Sequence, residues 1–297
     1  MAILVDEHTT CLVQGLTGKE GQKAADWMRK AGTHVIAGVT PGKGGQVVDG
    51  APIYNSVKEA LVKHPDINAT AIYVPAKFSK SAALEAIEAG IPLIHIIAEN
   101  VPTRDTAEIY AAANKAHVRV LGPSSIGIIS PGKGKMGSIG GEQNEQCMPG
   151  SVGIISKSGG MSSEICTVLT MNKIGQSTVI GIGGDVLIGT TFADLLPLFE
   201  KDKETKAVVM IGELGGTYEE QAAAVLKAKR FTKPLIAFIS GLFAETLPQG
   251  VSFGHAGAIV DSKLGTRKGK IEELTKAGAH VVKSPEEIVE VVKRVIG

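Results

Sequence analysis

One alternation recurs along most of this chain and restricts what it can fold into: a short aliphatic run, a turn of Gly and small polar residues, then a helix-length stretch. It is first seen as Thr10-Cys11-Leu12-Val13-Gln14, the turn Gly15-Leu16-Thr17-Gly18-Lys19-Glu20-Gly21, and a helix through Ala24, Ala25, Trp27 and Met28. Aliphatic runs without polar alternation are strands covered on both faces, and strands that alternate with helices build a parallel sheet. The same reading places strands at His34–Val39, Ala69–Pro75, Leu93–Ile97 and His117–Leu121, with helices over Ser79–Ala89 and Thr103–Ala113. Residues 130–150 are rich in Gly, Pro, Asn and Gln without strong periodicity, and are read as a connection. The rhythm resumes with a strand over Ser151–Ile155 and a helix over Ser163–Thr170. The run Ser177–Asp185 follows, then strands at Ala207–Gly212, Pro234–Ile239 and His280–Lys283, with helices at Phe192–Phe199, Tyr218–Lys229 and Lys268–Ala277. Ser284-Pro285-Glu286-Glu287 opens a last helix with a capping box and Pro at its first position. The expected fold is α/β: a Rossmann-like nucleotide-binding domain over 1–130, then a flavodoxin-like parallel-sheet domain over 145–297.

Composition narrows the function. A chain of 297 residues suits two domains, and 37 glycines suit many tight strand-to-helix turns. Aromatics are only 4%, a poor fit to nucleic-acid binding by base stacking, and a net charge of +1 sets up no field toward DNA or a membrane. Three cysteines, Cys11, Cys147 and Cys166, form no CxxC and are odd in number, which points away from a disulfide framework. The N-terminus lacks the basic start and apolar run of a secretory signal, and no apolar run is long enough to span a bilayer. The expected compartment is the cytoplasm, or the mitochondrial matrix if a transit peptide has been removed.

Ligands of open parallel sheets bind at the carboxyl ends of the strands. Gly15 to Gly21, Lys43, Pro75 and Glu99 all fall there. The first turn reads GxxGxxG rather than GxGxxG; it suits a phosphate on a helix N-terminus or an ordinary tight turn. An NAD site usually has an acid at the end of the second strand, but here the first carboxylate is Asp49. Lys43, in the glycine loop after that strand, suits the extra phosphate of NADP or coenzyme A, or is a solvated loop lysine. In the second half, Ser156-Lys157-Ser158-Gly159-Gly160-Met161-Ser162 is either an anion cradle or a plain Ser N-cap.

Ser252-Phe253-Gly254-His255-Ala256-Gly257-Ala258-Ile259 sets one histidine among small side chains that let a ligand approach the imidazole. No second His or Cys stands at ligand spacing beside it, so no metal is expected there. Read alone, it is a loop histidine or a nucleophile, acid or base. Glu213 ends one strand and His255 follows the next, so a carboxylate can reach one ring nitrogen; Asp185 is a second candidate for that role.

Taken together, these stretches resemble the α subunits of the succinyl-CoA synthetase family, the NDP-forming acyl-CoA ligases. The likeness covers essentially the whole chain. It rests on Gln14-Gly15-Leu16-Thr17-Gly18, Gly38-Val39-Thr40-Pro41-Gly42-Lys43-Gly44-Gly45, Tyr73-Val74-Pro75-Ala76, Gly181-Ile182-Gly183-Gly184-Asp185, Ile211-Gly212-Glu213 and Gly254-His255-Ala256-Gly257-Ala258. The resemblance implies that acid, CoA and ATP or GTP give acyl-CoA, ADP or GDP and phosphate, through an acyl phosphate and a phosphohistidine. His255 is then the phosphorylated residue and Glu213 its orienter. Thr17, Gly18, Lys19, Glu20, Lys43, Pro75, Ile97, Ala98 and Glu99 contact CoA; Ser158, Gly159, Gly160 and Ser163 serve phosphate and acid. A partner β subunit of ATP-grasp fold carries the nucleotide and Mg²⁺.

Some residues depart from the family pattern. Ser156-Lys157-Ser158-Gly159-Gly160-Met161-Ser162-Ser163-Glu164 stands where Ser-Arg-Ser-Gly-Thr-Leu-Thr-Tyr-Glu is usual, so Ser163 replaces the substrate-side Tyr. Gly122-Pro123-Ser124-Ser125 replaces Gly-Pro-Asn-Cys, and Ser252-Phe253 replaces Arg-Met. The Ser-Gly-Gly-Met-Ser and Phe-Gly-His runs are similar to ATP-citrate lyase and citryl-CoA synthetase, and a smaller residue than Tyr leaves room for a tricarboxylate. Succinate is the expected acid and citrate the alternative; an NAD(P) oxidoreductase or a non-catalytic CoA-binding module are rivals of other classes.

Overall fold

The computed structural model describes residues 2–142, 146–242, 255, 257 and 265–297. Two seven-stranded sheets organise these residues. The first is built from β1 (Thr10–Gln14), α1 (Lys19–Lys30), β2 (His34–Val39), β3 (Val47–Val48), β4 (Ala51–Tyr54), α2 (Val57–Lys63), β5 (Ala69–Ile72), α3 (Ala76–Glu88), β6 (Leu93–Ile96), α4 (Thr103–Ala116) and β7 (Arg119–Leu121). Its order is β3-β4-β2-β1-β5-β6-β7, with only β3 antiparallel among the described pairings. Without that edge strand, the order is that of a Rossmann sheet, which reverses between β1 and β5. Both of these strands are buried along their whole length, as the unbroken aliphatic runs require.

The second unit contains β8 (Gly127–Ser130), β9 (Gly134–Gly137), β10 (Pro149–Ser156), α5 (Gly159–Met171), β11 (Gln176–Gly181), α6 (Phe192–Lys201), β12 (Ala207–Gly212), α7 (Tyr218–Lys227), β13 (Leu235–Ile239), α8 (Arg267–Lys276), β14 (His280–Val282) and α9 (Pro285–Ile296). Its order, β14-β13-β12-β10-β11-β8-β9, has a flavodoxin-type parallel core that reverses between β10 and β12. On α6, Phe192, Leu195, Leu196 and Phe199 form one buried stripe at helical spacing. Each contributes about 1.5–3 kcal/mol on burial. Phe199 packs closely on β10 because residue 153 is Gly; a Cβ there would come within 2.6 Å of Phe199 Cδ1.

The structure departs from the sequence reading in four places. Residues 130–150 are not a bare connection: β9 and the start of β10 lie within them, and the β8–β9 pair adds antiparallel to β11. The first sheet ends at Leu121, so β8 belongs to the second sheet although its residues precede 130. Gly127 and Gly137 hide this hairpin from propensity; they sit opposite one another at φ +104° and +101°, packed backbone on backbone. Second, β3, β4 and α2 occupy the segment between Gly45 and Ala69, where no element was expected. Third, α5 starts at Gly159 rather than Ser163, because Ser158 caps it and a Cβ at Gly159 would press within 2.6 Å of Ile126 Cγ2. Fourth, the box expected at α9 does not close: Glu287 accepts from the Lys283 N–H at 2.9 Å instead, and Ser284 makes no side-chain cap bond.

The two sheets are tied near the carboxyl ends of the first. Tyr110 Oη donates to the Gly122 carbonyl at 2.6 Å, with the Leu187 carbonyl 3.2 Å away, and Thr190 Oγ1 donates to the Val120 carbonyl at 2.6 Å. These bonds bring the segment after β11 up against α4 and β7. Among the described residues no helix is long and apolar enough to cross a membrane.

Candidate functional site

The reversal in the second sheet opens a crevice between the carboxyl ends of β10 and β12. Glu213 follows β12 directly, and Lys157 and Ser158 follow β10. His255 meets them: its Nδ1 lies 2.7 Å from Glu213 Oε2. The Glu213 side chain is 10% exposed and the His255 ring 30%. The hydrogen bond and charge of Glu213 hold the imidazole above its ordinary pKa, against burial and against the positive Lys157; Glu99 adds to the rise. A carboxylate on Nδ1 fixes the ring and makes Nε2 the nitrogen that faces chemistry.

Glu213 is itself held by a buried chain of charges. Lys157 Nζ lies 3.5 Å from Glu213 Oε1 and 3.6 Å from Glu219 Oε1. Glu219 Oε1 accepts the Glu213 N–H at 3.1 Å, while its Oε2 is paired with Lys270. Lys270 Nζ also donates to the Gly215 carbonyl at 2.6 Å. Lys157, Glu219 and Lys270 are all buried. Burial would raise the Glu219 carboxyl, but Lys157 and Lys270 outweigh it and hold the group below the usual carboxylate range. Such a network is costly to break: a single buried charge left unpaired costs about 3–5 kcal/mol.

The turn after β11 supplies the wall behind the ring. A Cβ on Gly184 would overlap the His255 ring, 2.6 Å from Nδ1, and the Gly257 N–H donates to the Gly184 carbonyl at 3.0 Å. Asp185 is beside this contact and buried. Burial, then Glu99, raise its carboxyl, while a hydrogen bond from the Asn100 backbone and, less strongly, His255 oppose the rise. The carboxylate at hydrogen-bonding distance from the ring is therefore Glu213, with Asp185 at electrostatic range.

At the start of α5, Ser158 is occupied as the N-cap: Oγ accepts from Met161 N–H at 3.4 Å, and its carbonyl accepts from the hydroxyls of Ser156 and Ser162 at 2.8 and 2.7 Å. Beyond this cap, the backbone amides of Gly159 and Gly160 open α5 at the positive pole of a 13-residue helix. Among the described residues nothing lies within 4 Å of a Cβ built on Gly160. Ser163 is half-buried in the next turn.

In the first domain the structure joins two turns far apart in sequence. Lys43 Nζ is 3.3 Å from Thr17 Oγ1, which is 3.1 Å from Thr40 Oγ1. The Lys43 loop is shaped by Asn55 Oδ1, which accepts from the Gly42 and Gly44 amides at 3.0 and 3.1 Å. Gly15, at φ +87°, lets the turn pack on the Tyr73 backbone after β5, on the other side of the strand-order reversal. Gly18 is the N-cap of α1 without a side-chain bond, and Lys19 and Glu20 open that helix, exposed. Pro75 is the N-cap of α3; Ile97 and Ala98 are half-buried and Glu99 exposed. An exposed cation over a helix start, at the sheet's ligand-binding edge, fits a phosphate-bearing ligand.

Ser252, Phe253, Gly254, Ala256, Ala258 and Ile259 lie outside the described residues. Sequence reasoning gave no role to Lys157, Gly184, Glu219 or Lys270. A lysine in a Ser-Gly turn reads as solvated, and nothing in the spacing of Glu219 and Lys270 marks them as buried partners.

The matches to known proteins agree with this geometry. Residues 6–100 match the CoA binding domain family, and residues 155–281 match the CoA-ligase family. The chain is 47% identical over 296 residues to the ADP-forming succinate–CoA ligase subunit alpha 2 of Archaeoglobus fulgidus, covering 100% of both. It is 44% identical over 297 residues to the SauD subunit of an ADP-forming sulfoacetate–CoA ligase of Bilophila wadsworthia, again covering 100% of both. Of solved structures, ATP citrate lyase from Methanothrix soehngenii, in complex with citrate and coenzyme A, aligns at a TM-score of 0.89 and 28% identity over 99% of this chain; the chain spans 52% of that protein. A Rossmann sheet followed by a flavodoxin-order sheet with a His–carboxylate pair at its reversal is the architecture of a CoA-ligase subunit. The chain belongs to the family of ADP-forming acid–CoA ligase α subunits, and so works with a partner subunit.

Proposed function

We propose that this chain activates succinate as its CoA thioester by relaying a phosphoryl group through His255. The observation that carries the reading is the His255–Glu213 pair at the carboxyl end of β12, with the ring against the Gly184 turn after β11. Nε2 attacks the γ-phosphorus of ATP, and ADP departs with the bridging oxygen's electron pair. A carboxylate oxygen of the acid then attacks that phosphorus, the P–N bond breaks, and its electrons return to Nε2. The CoA thiolate attacks the acyl carbon and phosphate leaves, the thiol proton passing to solvent. Glu213 steadies the ring while charge appears and disappears on it, and the Gly159 and Gly160 amides receive phosphoryl oxygens. The partner subunit, of ATP-grasp fold, supplies the nucleotide site and Mg²⁺. Thr17, Gly18, Lys19, Glu20, Lys43, Pro75 and Ile97 to Glu99 hold CoA. The bacterial and archaeal sources of the relatives support the cytoplasm as the setting and give no support to the mitochondrial alternative.

Sulfoacetate is the second reading, because a ligase subunit named for it is nearly as similar to this chain as the succinate enzyme. Citrate has less support: the citrate-bound structure is 28% identical and about twice as long. The test is acyl-CoA formation by the chain with its partner subunit, CoA, ATP or GTP, and each acid in turn. Succinate with ATP is expected to turn over fastest. Turnover of sulfoacetate or citrate alone replaces the substrate assignment, and no thioester from any acid removes the ligase reading.

A charge reversal tests the CoA site. Lys43→Glu sets a carboxylate where Lys43 now faces Thr17 and the start of α1. Losing a charged hydrogen bond to phosphate costs about 1–3 kcal/mol, so calorimetry should show CoA affinity lower by roughly tenfold or more. Unchanged affinity removes Lys43 from the site.

A further inference from the structure

We infer that Lys157 is a positioning residue for His255: through Glu213 it aims the imidazole and limits the negative charge the ring meets. The inference rests on the reading of His255 as the phosphoryl acceptor. The geometry is that of a strut. Lys270 on α8 is paired with Glu219 on α7, and Glu219 accepts the backbone N–H of Glu213. Lys157, at the end of β10, lies between the two carboxylates at 3.5 and 3.6 Å, and 5.4 Å over the centroid of the Tyr218 ring. Its side chain is 3% exposed, so water does not screen it. Glu219 is shared by Lys157 and Lys270, whereas Lys157 is the lysine paired with Glu213, whose other oxygen holds Nδ1 of His255.

Glu220 lies 3.9 Å from Lys270 at the far end of the strut, so among the described residues the two lysines stand against three carboxylates. Among the described residues, charged groups from four separate elements face His255: Glu213 after β12, Lys157 after β10, Asp185 after β11 and Glu99 after β6. Lys157 is the only cation among these four. Without it, Glu213 becomes an unbalanced buried carboxylate beside an imidazole, and the simplest relief is a proton on the ring. An imidazolium has no lone pair for phosphorus. Lys157 thus opposes that proton, favouring the nucleophilic form of the ring, and keeps the Glu213 oxygens from turning away from it.

The test uses the complex of this chain with its partner subunit and γ-phosphate-labelled ATP, following initial labelling of the chain from about pH 5.5 to about pH 9. Lys157→Met is expected to slow labelling roughly tenfold to a hundredfold at the acid end. The deficit should narrow as pH rises, because the ring sheds its extra proton there. Lys157→Arg, which keeps the charge, should restore the wild-type profile. CoA affinity, assigned to the other domain, reports folding; if Lys157→Met does not fold, Lys157→Gln takes its place. A Met or Gln profile that lies on the wild-type curve, or is lowered equally at every pH, overturns the inference. Absence of label on the wild-type chain is a different failure and overturns the phosphohistidine reading itself.

Discussion

His255→Asn is expected to abolish phosphoryl labelling of this chain and to lower net acyl-CoA formation by more than about 10⁴-fold, as removal of a nucleophile does. Asn is close in size to the near half of an imidazole, and its amide can still donate to Glu213 Oε2, where Nδ1 now sits at 2.7 Å. The pocket therefore keeps its shape and its hydrogen bond, and loses only the nitrogen that attacks. Wild-type label should be acid-labile and base-stable, as a phosphorus–nitrogen bond is. The rate of its formation should fall as pH drops through the raised His255 pKa, since only the neutral ring attacks. CoA binding should stay within about twofold of wild type, because distant sites act independently. The measurements are labelling with γ-phosphate-labelled ATP, steady-state turnover and CoA calorimetry. Labelling or turnover at the wild-type level in His255→Asn would return this residue to an ordinary loop histidine.

The fold was legible because parallel strands buried on both faces cannot hide: β1, β2 and β12 stand in the sequence as aliphatic runs bounded by glycine turns, and their limits coincide with those read from it. What escaped lacked that signature. β3 is two residues long, and β8 and β9 carry Gly at positive φ at one end of their pairing, so composition resembles a linker. The Glu213–His255 pair, 42 residues apart, was open to inference because Glu213 ends one strand and His255 lies after the next in sequence. The Lys43–Thr17 approach follows from the same rule applied to β1 and β2. The strut behind Glu213 does not. Buried charges are rare, so Lys157, Glu219 and Lys270 each read as surface residues until tertiary packing sets them together. Gly184 escaped for a related reason: the turn it shares with Asp185 needs no ligand to explain it, and only the approach of the ring shows what the missing side chain makes room for.

That approach makes Gly184→Ala the second large effect. The backbone at residue 184 is not in the left-handed region, unlike Gly183 at φ +101°, so alanine is compatible with the turn itself. The added methyl would overlap the imidazole, 2.6 Å from Nδ1, against the 3.4 Å or more of ordinary contact. The ring is rigid, and the turn cannot back away freely because its Gly184 carbonyl accepts the Gly257 N–H at 3.0 Å. The imidazole must therefore move by roughly 1 Å, which takes Nδ1 off Glu213 and Nε2 off the line of attack; a displacement of that size costs on the order of 10²-fold in rate. Glycine to alanine also lowers the entropy of the unfolded chain, by about 0.4–1 kcal/mol, which offsets part of the steric cost, so the melting temperature should change little. Expected results are labelling slowed about a hundredfold, with KM for CoA unchanged. Gly160→Ala serves as the comparison, because among the described residues nothing lies within 4 Å of its Cβ. Its methyl leaves His255 in place and should slow labelling less. Labelling by Gly184→Ala at the wild-type rate would show that the ring does not work from the position it holds against this turn.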